Sequence, residues 1–243
     1  MAGGSTSKLF STLDAAVTDA ITNRSTSGLS TTFYIVGGDY TISSEITLNP
    51  TNGDWWHFVG EGRDRTLLTG TMSGTNALFD WDALTNVVNI SFTNLSMASA
   101  SAESLLSWRG NQRLHLEYVD LSISTAGTGY AINTIGGGDY LGRDVRITNA
   151  TTAGIQGNSA ASYQINDSEL TSAVGIRGAV DSLLCGNTRF SCSTADFAFN
   201  SDSTDNAHFD NCRFFKGGTV TTTSAVTGLS FTDSIFVLGA SEV

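Results

Sequence analysis

A six-residue pattern recurs seven times between residues 92 and 236. In each copy an apolar residue, or Gly142 in one case, is followed two positions later by Asn or Asp and five positions later by an apolar residue. Repeats of this kind form solenoids, because each unit buries its apolar face only against its neighbours. Alternation of apolar and polar residues flanks each copy, so we predict one coil of a parallel β-solenoid per repeat. The Asn/Asp positions are Asn94, Asp120, Asp144, Asp167, Asn187, Asn211 and Asp233.

These seven positions are interpreted as a structural turn ladder. Asn and Asp tolerate a left-handed backbone conformation and hydrogen-bond to their own backbone, so they suit a tight bend between two strands. Each coil needs a suitable residue at its turn, so Asn or Asp recurs once per coil for a structural reason. The four aspartates of the ladder are therefore not assigned to catalysis. If every ladder residue occupies the same place in its coil, residues at equal offsets from it stack on one another.

The chain is predicted to form one domain with two parts. Residues 1–28 contain an N-terminal segment and a capping α-helix near residues 8–22, where apolar side chains have helical spacing and Ser11 and Asp14 have the spacing of a capping box. Residues 29–243 form the solenoid, of about nine or ten coils. No comparable cap follows Phe236, so the C-terminal end is a candidate contact surface, across which residues 237–243 could also fold.

Charge and cysteine usage exclude several classes of partner and cofactor. The formal net charge is −11 and the only lysines are Lys8 and Lys216, so nucleic acid and anionic membranes are poor partners. No apolar run has the length of about 20 residues that inserts across a bilayer, and the N-terminus lacks the features of a signal peptide. Cys185, Cys192 and Cys212 lack metal-ligand spacing, so we expect buried free thiols, no metal and no cofactor.

The first strands of the chain resemble a known family. Residues 33–42 (FYIVGGDYTI), 46–48 (ITL) and 58–68 (FVGEGRDRTLL) resemble the opening coils of the pectin-lyase-like superfamily, which includes phage tailspikes and other virion proteins. With the repeat, the resemblance spans about residues 8–243 and implies an all-β, single-stranded right-handed parallel β-helix. It does not select a function, because the superfamily contains pectate lyases, polygalacturonases, tailspike glycosidases and non-catalytic adhesins or virion components.

One group of outward-facing residues is a candidate catalytic site. A common turn register places Asn89, His115 and Asp139 on successive coils, with Glu117 and Asp139 roughly 8 Å apart between Cα atoms. Inverting glycosidases separate their two carboxyl groups by roughly 6.5–9.5 Å, so Glu117 and Asp139 could serve as acid and base beside His115. The alternative is a solvated acidic surface, because a long solenoid face places carboxylates on neighbouring coils without any catalytic role.

Trp55 and Trp81 are candidate glycan-binding residues. An exposed indole can stack on a sugar ring, but a tryptophan in an alternating strand is more often part of the core. The outward residues Arg146, Arg189 and Arg213, with Glu169 between the first two, are interpreted as ion pairs on the solvent face.

The resemblance and the residues together predict a structural virion protein of a tailed bacteriophage, either a capsid decoration (cement) protein or a spike component with an outward-facing β-helix. Its expected partners are other virion proteins, further copies in a homotrimer, and a host surface glycan. Phage proteins leave the cell by lysis, which fits a virion location without a signal peptide. Two alternatives stay open: a polysaccharide hydrolase or lyase that uses Glu117, Asp139 and His115, and a non-catalytic glycan-binding adhesin.

Overall fold

The computed structural model describes eleven ranges of the chain: residues 8–23, 30–50, 53–72, 77–82, 88–100, 102–110, 112–124, 129–157, 161–199, 206–220 and 228–237. The predicted C-terminal segment beyond residue 237 lies outside these ranges. Within them, no helix is long and apolar enough to cross a membrane.

One α-helix, α1 (Leu13–Asn23), precedes the strands and packs on the first coil. Its buried residues Val17 and Ala20 belong to the same apolar core as the strands. The predicted N-terminal helix is confirmed, although it begins later than residue 8. The capping residue is Thr12 rather than Ser11, because the Thr12 hydroxyl accepts a hydrogen bond from the Ala15 backbone N–H at 3.2 Å.

Twenty-three strands follow the helix within the described ranges. In chain order they are β1 (Ser30–Ile35), β2 (Gly38–Ile42), β3 (Ile46–Thr47), β4 (Trp55–Gly60), β5 (Thr66–Gly70), β6 (Ala77–Asp82), β7 (Asn89–Ser99), β8 (Ser104–Arg109), β9 (Gln112–Ile123), β10 (Tyr130–Thr134), β11 (Gly138–Thr148), β12 (Ala153–Gly157), β13 (Ala161–Asn166), β14 (Glu169–Thr171), β15 (Val174–Gly178), β16 (Ser182–Gly186), β17 (Arg189–Phe190), β18 (Ala195–Phe199), β19 (Asn206–Asp210), β20 (Arg213–Phe214), β21 (Gly218–Val220), β22 (Leu229–Thr232) and β23 (Ile235–Phe236).

The strands form two parallel sheets that wind around one core. The main stack of the first sheet is β1-β4-β7-β9-β11-β13-β16-β19-β22, and the second sheet is β3-β6-β8-β10-β12-β15-β18-β21. Each turn of the chain adds a strand to each sheet, which makes the molecule a right-handed parallel β-helix. The repeat forms about seven regular turns, and β1 and β4 extend the first sheet at its N-terminal end.

Most of the turn ladder has the backbone conformation that the sequence predicts. Asn94, Asp144, Asp167, Asn187, Asn211 and Asp233 all have φ between 48° and 56°, the left-handed region that Asn and Asp tolerate. Three consecutive members are hydrogen-bonded to one another: the amide of Asn211 donates to Asn187 at 2.7 Å, and that of Asn187 donates to Asp167 at 3.0 Å.

The ladder assignment of Asp120 is wrong by two residues. In β9 the left-handed position belongs to Tyr118, with a φ of 55°, and Asp120 stacks between Ser96 and Arg146. Apolar residues flank both positions at the required offsets, so the apolar part of the sequence pattern fits either frame. The structure selects the frame in which Tyr118 lies between Asn94 and Asp144 on the neighbouring coils.

Arg63 supports the turn at Tyr118, where a bulky residue adopts the left-handed conformation at an energetic cost. Its guanidinium carbon lies 5.5 Å from the centroid of the Tyr118 ring. The same group donates hydrogen bonds to the carbonyl and carboxylate of Asp144, and its Nη1 lies 3.4 Å from Oδ1 of Asp120. Burial raises the pKa of Asp120, and the positive charge of Arg63 opposes that shift.

Aromatic side chains stack along the axis inside the solenoid. Phe190, Phe214 and Phe236 form one stack with centroid distances of 5.1 and 4.8 Å. Phe33, Phe58 and Phe92 form another, at 4.6 and 4.7 Å. These distances are close to the strand spacing of about 4.8 Å, so equivalent residues of successive coils pack directly against each other.

A buried carboxylate holds the segment after β20. Asp196 in β18 is 0% exposed, and its Oδ2 accepts hydrogen bonds from the backbone N–H groups of Phe215, Lys216 and Gly217 at 2.8, 2.6 and 2.8 Å. Its Oδ1 accepts a fourth, from the backbone N–H of Cys192 at 3.3 Å. Several backbone donors stabilise a buried negative charge, so Asp196 acts as a structural anchor that the sequence pattern does not reveal.

Candidate functional site

A groove of about 420 Å³ lies on the outer face of the first sheet. Outward-facing residues of six stacked strands, β4, β7, β9, β11, β13 and β16, contribute to it. The strand register aligns these residues in two adjacent columns that run along the solenoid axis. The first column is Trp55, Asn89, Arg113, Asp139, Ser162 and Ser182, and the second is Ser91, His115, Leu141, Gln164 and Leu184. His57 precedes Ser91 in the second column but does not line the groove.

Trp55 forms the N-terminal end of the groove. Its side chain is 49% exposed, and its ring centroid lies 5.7 Å from that of His57. Nδ1 of His57 is hydrogen-bonded to the Ser91 hydroxyl at 2.8 Å. Burial, and then the nearby charge of His115, lower the pKa of His57. Trp56, the next residue in the strand, is buried, so the two adjacent tryptophans lie on opposite faces of the sheet.

Apolar side chains continue the groove beyond the histidines. Leu141 and Leu184 are 37% and 50% exposed, and the exposed Gln164 lies between them in the same column. The outer surface of the groove therefore combines one indole, two aliphatic side chains and hydrogen-bonding groups, a composition that is typical of small-molecule and glycan sites.

Several polar side chains of the groove have no hydrogen-bond partner among the described residues. This set is Asn89, His115, Ser162, Gln164 and Ser182, and each is at least partly exposed. The polar residues of the turn ladder differ, since Asn187 and Asn211 bond to their neighbours. The groove thus presents donors and acceptors that are available to a ligand.

The structure does not bring the predicted acid and base together. Arg113, rather than His115, stands between Asn89 and Asp139, because the true register of β9 differs by two residues. Glu117 lies opposite Arg143, which places its Cα four residues along the strand and one strand across from that of Asp139, a separation of roughly 14 Å. The expected distance of about 8 Å is therefore wrong.

Each of these two carboxylates faces an arginine instead. Arg113 Nε lies 3.1 Å from Asp139 Oδ2, and Arg143 Nη1 lies 3.9 Å from Glu117 Oε1. All four side chains are substantially exposed, so these are solvated ion pairs of modest strength. His115 lines the groove between them.

Trp81 does not form a glycan platform. It is 0% exposed and stacks on Trp108 with ring centroids 5.6 Å apart and an interplanar angle of 6°. The side chain of Asp82, next to it, lies outside the described residues. The glycan-binding prediction for Trp81 is therefore wrong, and the alternative of a core tryptophan holds.

The charged residues of the other half of the sheet form ion pairs. Arg146 lies 3.9 Å from Asp120, and Arg189 lies 3.7 Å from Glu169. The guanidinium groups of Arg189 and Arg213 both lie over the Phe215 ring, at 5.0 and 5.4 Å from its centroid. Within the part of the chain that the structure describes, no cluster of His, Cys, Asp or Glu is arranged to hold a metal ion.

Sequence reasoning missed Arg113, Gln164, Leu141 and Leu184 as groove residues. Leu141 and Leu184 break the polar pattern of an outward column, and this signal could have located the groove. Arg113 could not be placed, because its column depends on the register of β9.

Comparison with known proteins identifies the fold but no close relative. No protein-family model matches the chain, and no curated protein matches it. A solved structure of pectin methylesterase, a mutant enzyme in complex with a hexasaccharide, has a TM-score of 0.57 and 16% identity, over 88% of this chain and 78% of that one. A protein of Geobacillus virus E2, ORF18, matches with a TM-score of 0.29 and 14% identity, over 92% of this chain and 57% of that one. The first likeness shows the fold alone, and the second is too weak to carry an argument.

Proposed function

We propose that this protein is a non-enzymatic structural component of a tailed-bacteriophage particle, a decoration protein or part of a spike, whose β-helix binds a host surface glycan in the Trp55 groove. The observation that carries the glycan-binding part is an exposed indole beside polar side chains that have no hydrogen-bond partner within the described ranges. Sugar rings offer hydroxyl groups at their edges and apolar C–H faces, and this groove offers a matching partner to each.

The shape of the groove favours an extended ligand. Six stacked strands at about 4.8 Å each give a length of roughly 24 Å along the axis. A linear oligosaccharide that follows this axis passes the indole of Trp55 first and then the polar side chains, reaching Leu184 at the far end. Its hydroxyl groups meet the side chains of a new strand at each step.

The arrangement of carboxylates supports binding without cleavage. General acid–base hydrolysis of a glycoside needs two carboxyl groups on either side of one bond. Asp139 and Glu117 each face an arginine, and their Cα atoms are roughly 14 Å apart instead of the expected distance of about 8 Å. A depolymerase that uses Glu117, Asp139 and His115 is therefore the less favoured candidate.

The assignment to a phage particle rests on the resemblance of the opening coils and the repeat to β-helix proteins of virions. A location on the particle surface and a homotrimer with other virion proteins as partners belong to the same proposal. A protein of this kind would expose its groove to the host surface and attach to the particle by other faces of the solenoid.

Two measurements test the two parts, one on purified particles from the source and one on the isolated chain. Quantitative mass spectrometry should find this chain in the particles, with hundreds of copies for a decoration protein and few tens or fewer for a spike. The chain is then expressed alone and titrated with size-fractionated oligosaccharides of the host surface polysaccharide, following the heat of binding by calorimetry and the size of the glycan. We expect saturable binding and no shortening of the glycan.

Two variants make the glycan measurement specific. Trp55→Ala should weaken binding at least about tenfold, the equivalent of about 1.4 kcal/mol. Tyr34→Ala removes an aromatic side chain that is 80% exposed on β1 outside the groove, and it should bind like the wild type. Absence from particles, shortened oligosaccharides, or equal binding by wild type and Trp55→Ala would each overturn the corresponding part of the proposal.

A further inference from the structure

Two of the three cysteines are neighbours in the core, near the C-terminal end of the solenoid. Cys185 lies in β16, and Cys212 follows the ladder residue Asn211 one coil later. Their sulfur atoms are 3.7 Å apart, and the Cys212 thiol also lies 3.3 Å from the carbonyl oxygen of Cys185. Both are free and almost completely buried, as the sequence predicts.

The third cysteine provides a natural comparison. Cys192 is also buried and free, but its thiol lies 3.5 Å from the carbonyl oxygen of Leu170 and 3.7 Å from the hydroxyl of Ser172. Proximity to a second thiol is therefore a property of the 185–212 pair.

We propose that Cys185 and Cys212 form a disulfide when the protein meets an oxidising environment with a small-molecule disulfide as the oxidant, and that this bond joins two successive coils. A disulfide has an S–S distance of about 2.05 Å, so the sulfur atoms must approach by about 1.6 Å. Phe209 is the register partner of Cys185, and Cys212 comes three residues later, just after the turn at Asn211, so the approach requires rotation of the two side chains and an adjustment of that turn.

The reaction is a pair of thiol–disulfide exchanges. The thiolate of Cys212 attacks one sulfur of the small disulfide, and the other half leaves as a thiolate. The thiolate of Cys185 then attacks the Cys212 sulfur of the mixed disulfide and releases the second small thiolate. Overall the two cysteines lose two protons and two electrons, and the small disulfide becomes two thiols.

The pKa values of the two thiols are shifted in opposite directions, and these shifts agree with an attack by Cys212 before Cys185. The hydrogen bond from Cys185 lowers the pKa of Cys212, and burial raises the pKa of Cys185 well above its usual range. We therefore take Cys212 as the first nucleophile. Because both thiols are buried, the oxidant gains access only when the last coils open locally.

The cross-link should stabilise the C-terminal coils. It joins residues 27 positions apart, and closing a loop of this size in the unfolded chain should raise the melting temperature by roughly 5–10 °C. This inference is independent of the proposed glycan binding, because neither cysteine lines the groove.

The test uses the full chain, as wild type and as Cys192→Ala, incubated with oxidised glutathione at mildly alkaline pH. Free thiols are counted after denaturation, the intact mass is measured, and the linked peptides are identified by mass spectrometry. We expect the wild type to keep one thiol and Cys192→Ala to keep none. Both should lose two hydrogens, contain a 185–212 peptide and melt at a higher temperature that returns to the starting value after reduction.

Each other outcome overturns the proposal. Retention of all thiols, under conditions in which the urea-unfolded chain is oxidised, would show that the folded geometry prevents the bond. Stable glutathione adducts, or a link to Cys192, would show that the pair is not the preferred site. A cross-linked protein that melts no higher than the reduced form would contradict the stabilising role. Cys185→Ala, if it folds, should keep both remaining thiols.

Discussion

Replacing Asp196 by Ala should destabilise the protein more than almost any other polar substitution. The change removes the acceptor of three N–H donors, those of Phe215, Lys216 and Gly217, whose hydrogen bonds to the buried carboxylate are partly buried. A buried orphaned donor costs about 1–3 kcal/mol, and some water will enter the space. We therefore expect the free energy of unfolding to fall by about 3–6 kcal/mol.

The loss can be measured by thermal and urea denaturation followed by circular dichroism. For a chain of this size, about 1 kcal/mol corresponds to about 2–4 °C, so the melting temperature should fall by roughly 6–24 °C. Asp196→Asn keeps the shape and one acceptor oxygen, so its loss should be smaller than that of Asp196→Ala. The matched control is Asp39→Asn on the exposed surface, which should change stability by no more than about 0.5 kcal/mol.

A free energy of unfolding of Asp196→Ala within about 1 kcal/mol of the wild type would refute this reasoning. It would mean that the segment after β20 finds other acceptors at little cost. The carboxylate would then be a tolerated buried charge rather than an anchor.

Two further predictions concern the core and the groove. Phe214→Ala removes the centre of an aromatic stack and should lower the free energy of unfolding by about 3–5 kcal/mol. Phe236→Ala, at a position that is 43% exposed, should lower it by less in the same urea titrations. Equal losses for the two variants would contradict the packing described. Burial and the charge of His115 lower the pKa of His57 below its ordinary value of 6.5. As the pH falls, the unfolded chain therefore protonates His57 more readily than the folded chain does. The contribution of His57 to stability is complete above pH 6.5 and declines below it. Unfolding at about pH 7.5 and about pH 5 should therefore show a steeper loss for the wild type than for His57→Gln, and parallel losses would count against this.

The sequence predicts the fold well because each coil repeats the same physical requirement. A left-handed turn residue recurs with apolar residues at fixed offsets, and six Asn or Asp residues reveal that register directly. In β9 the frame is ambiguous, because Leu116 and Leu121 flank Tyr118 at the same offsets at which Tyr118 and Ile123 flank Asp120. An aspartate is the better turn residue by local preference, and tertiary contacts absent from the local pattern, the one between Arg63 and Tyr118 among them, accompany the tyrosine frame.

That one ambiguity determines how well the site can be predicted. The exposure of Trp55 follows from the alternation of its own strand, which does not depend on β9. The grouping of Glu117, His115 and Asp139 relies on the register of β9, so a shift of two residues separates the two carboxylates and introduces Arg113. Long-range packing, rather than any feature of the strand itself, decides which residues share a column.

Arg63 connects coils of the solenoid that are not direct neighbours. In a stack of coils each unit contacts its immediate neighbours, so cooperativity along the axis is built from nearest-neighbour terms. Arg63 binds Asp144, which is 81 residues away in sequence, and thereby joins the turn between β4 and β5 to β11 across the intervening β7 and β9. This contact couples coils that are not direct neighbours, which nearest-neighbour packing alone does not provide.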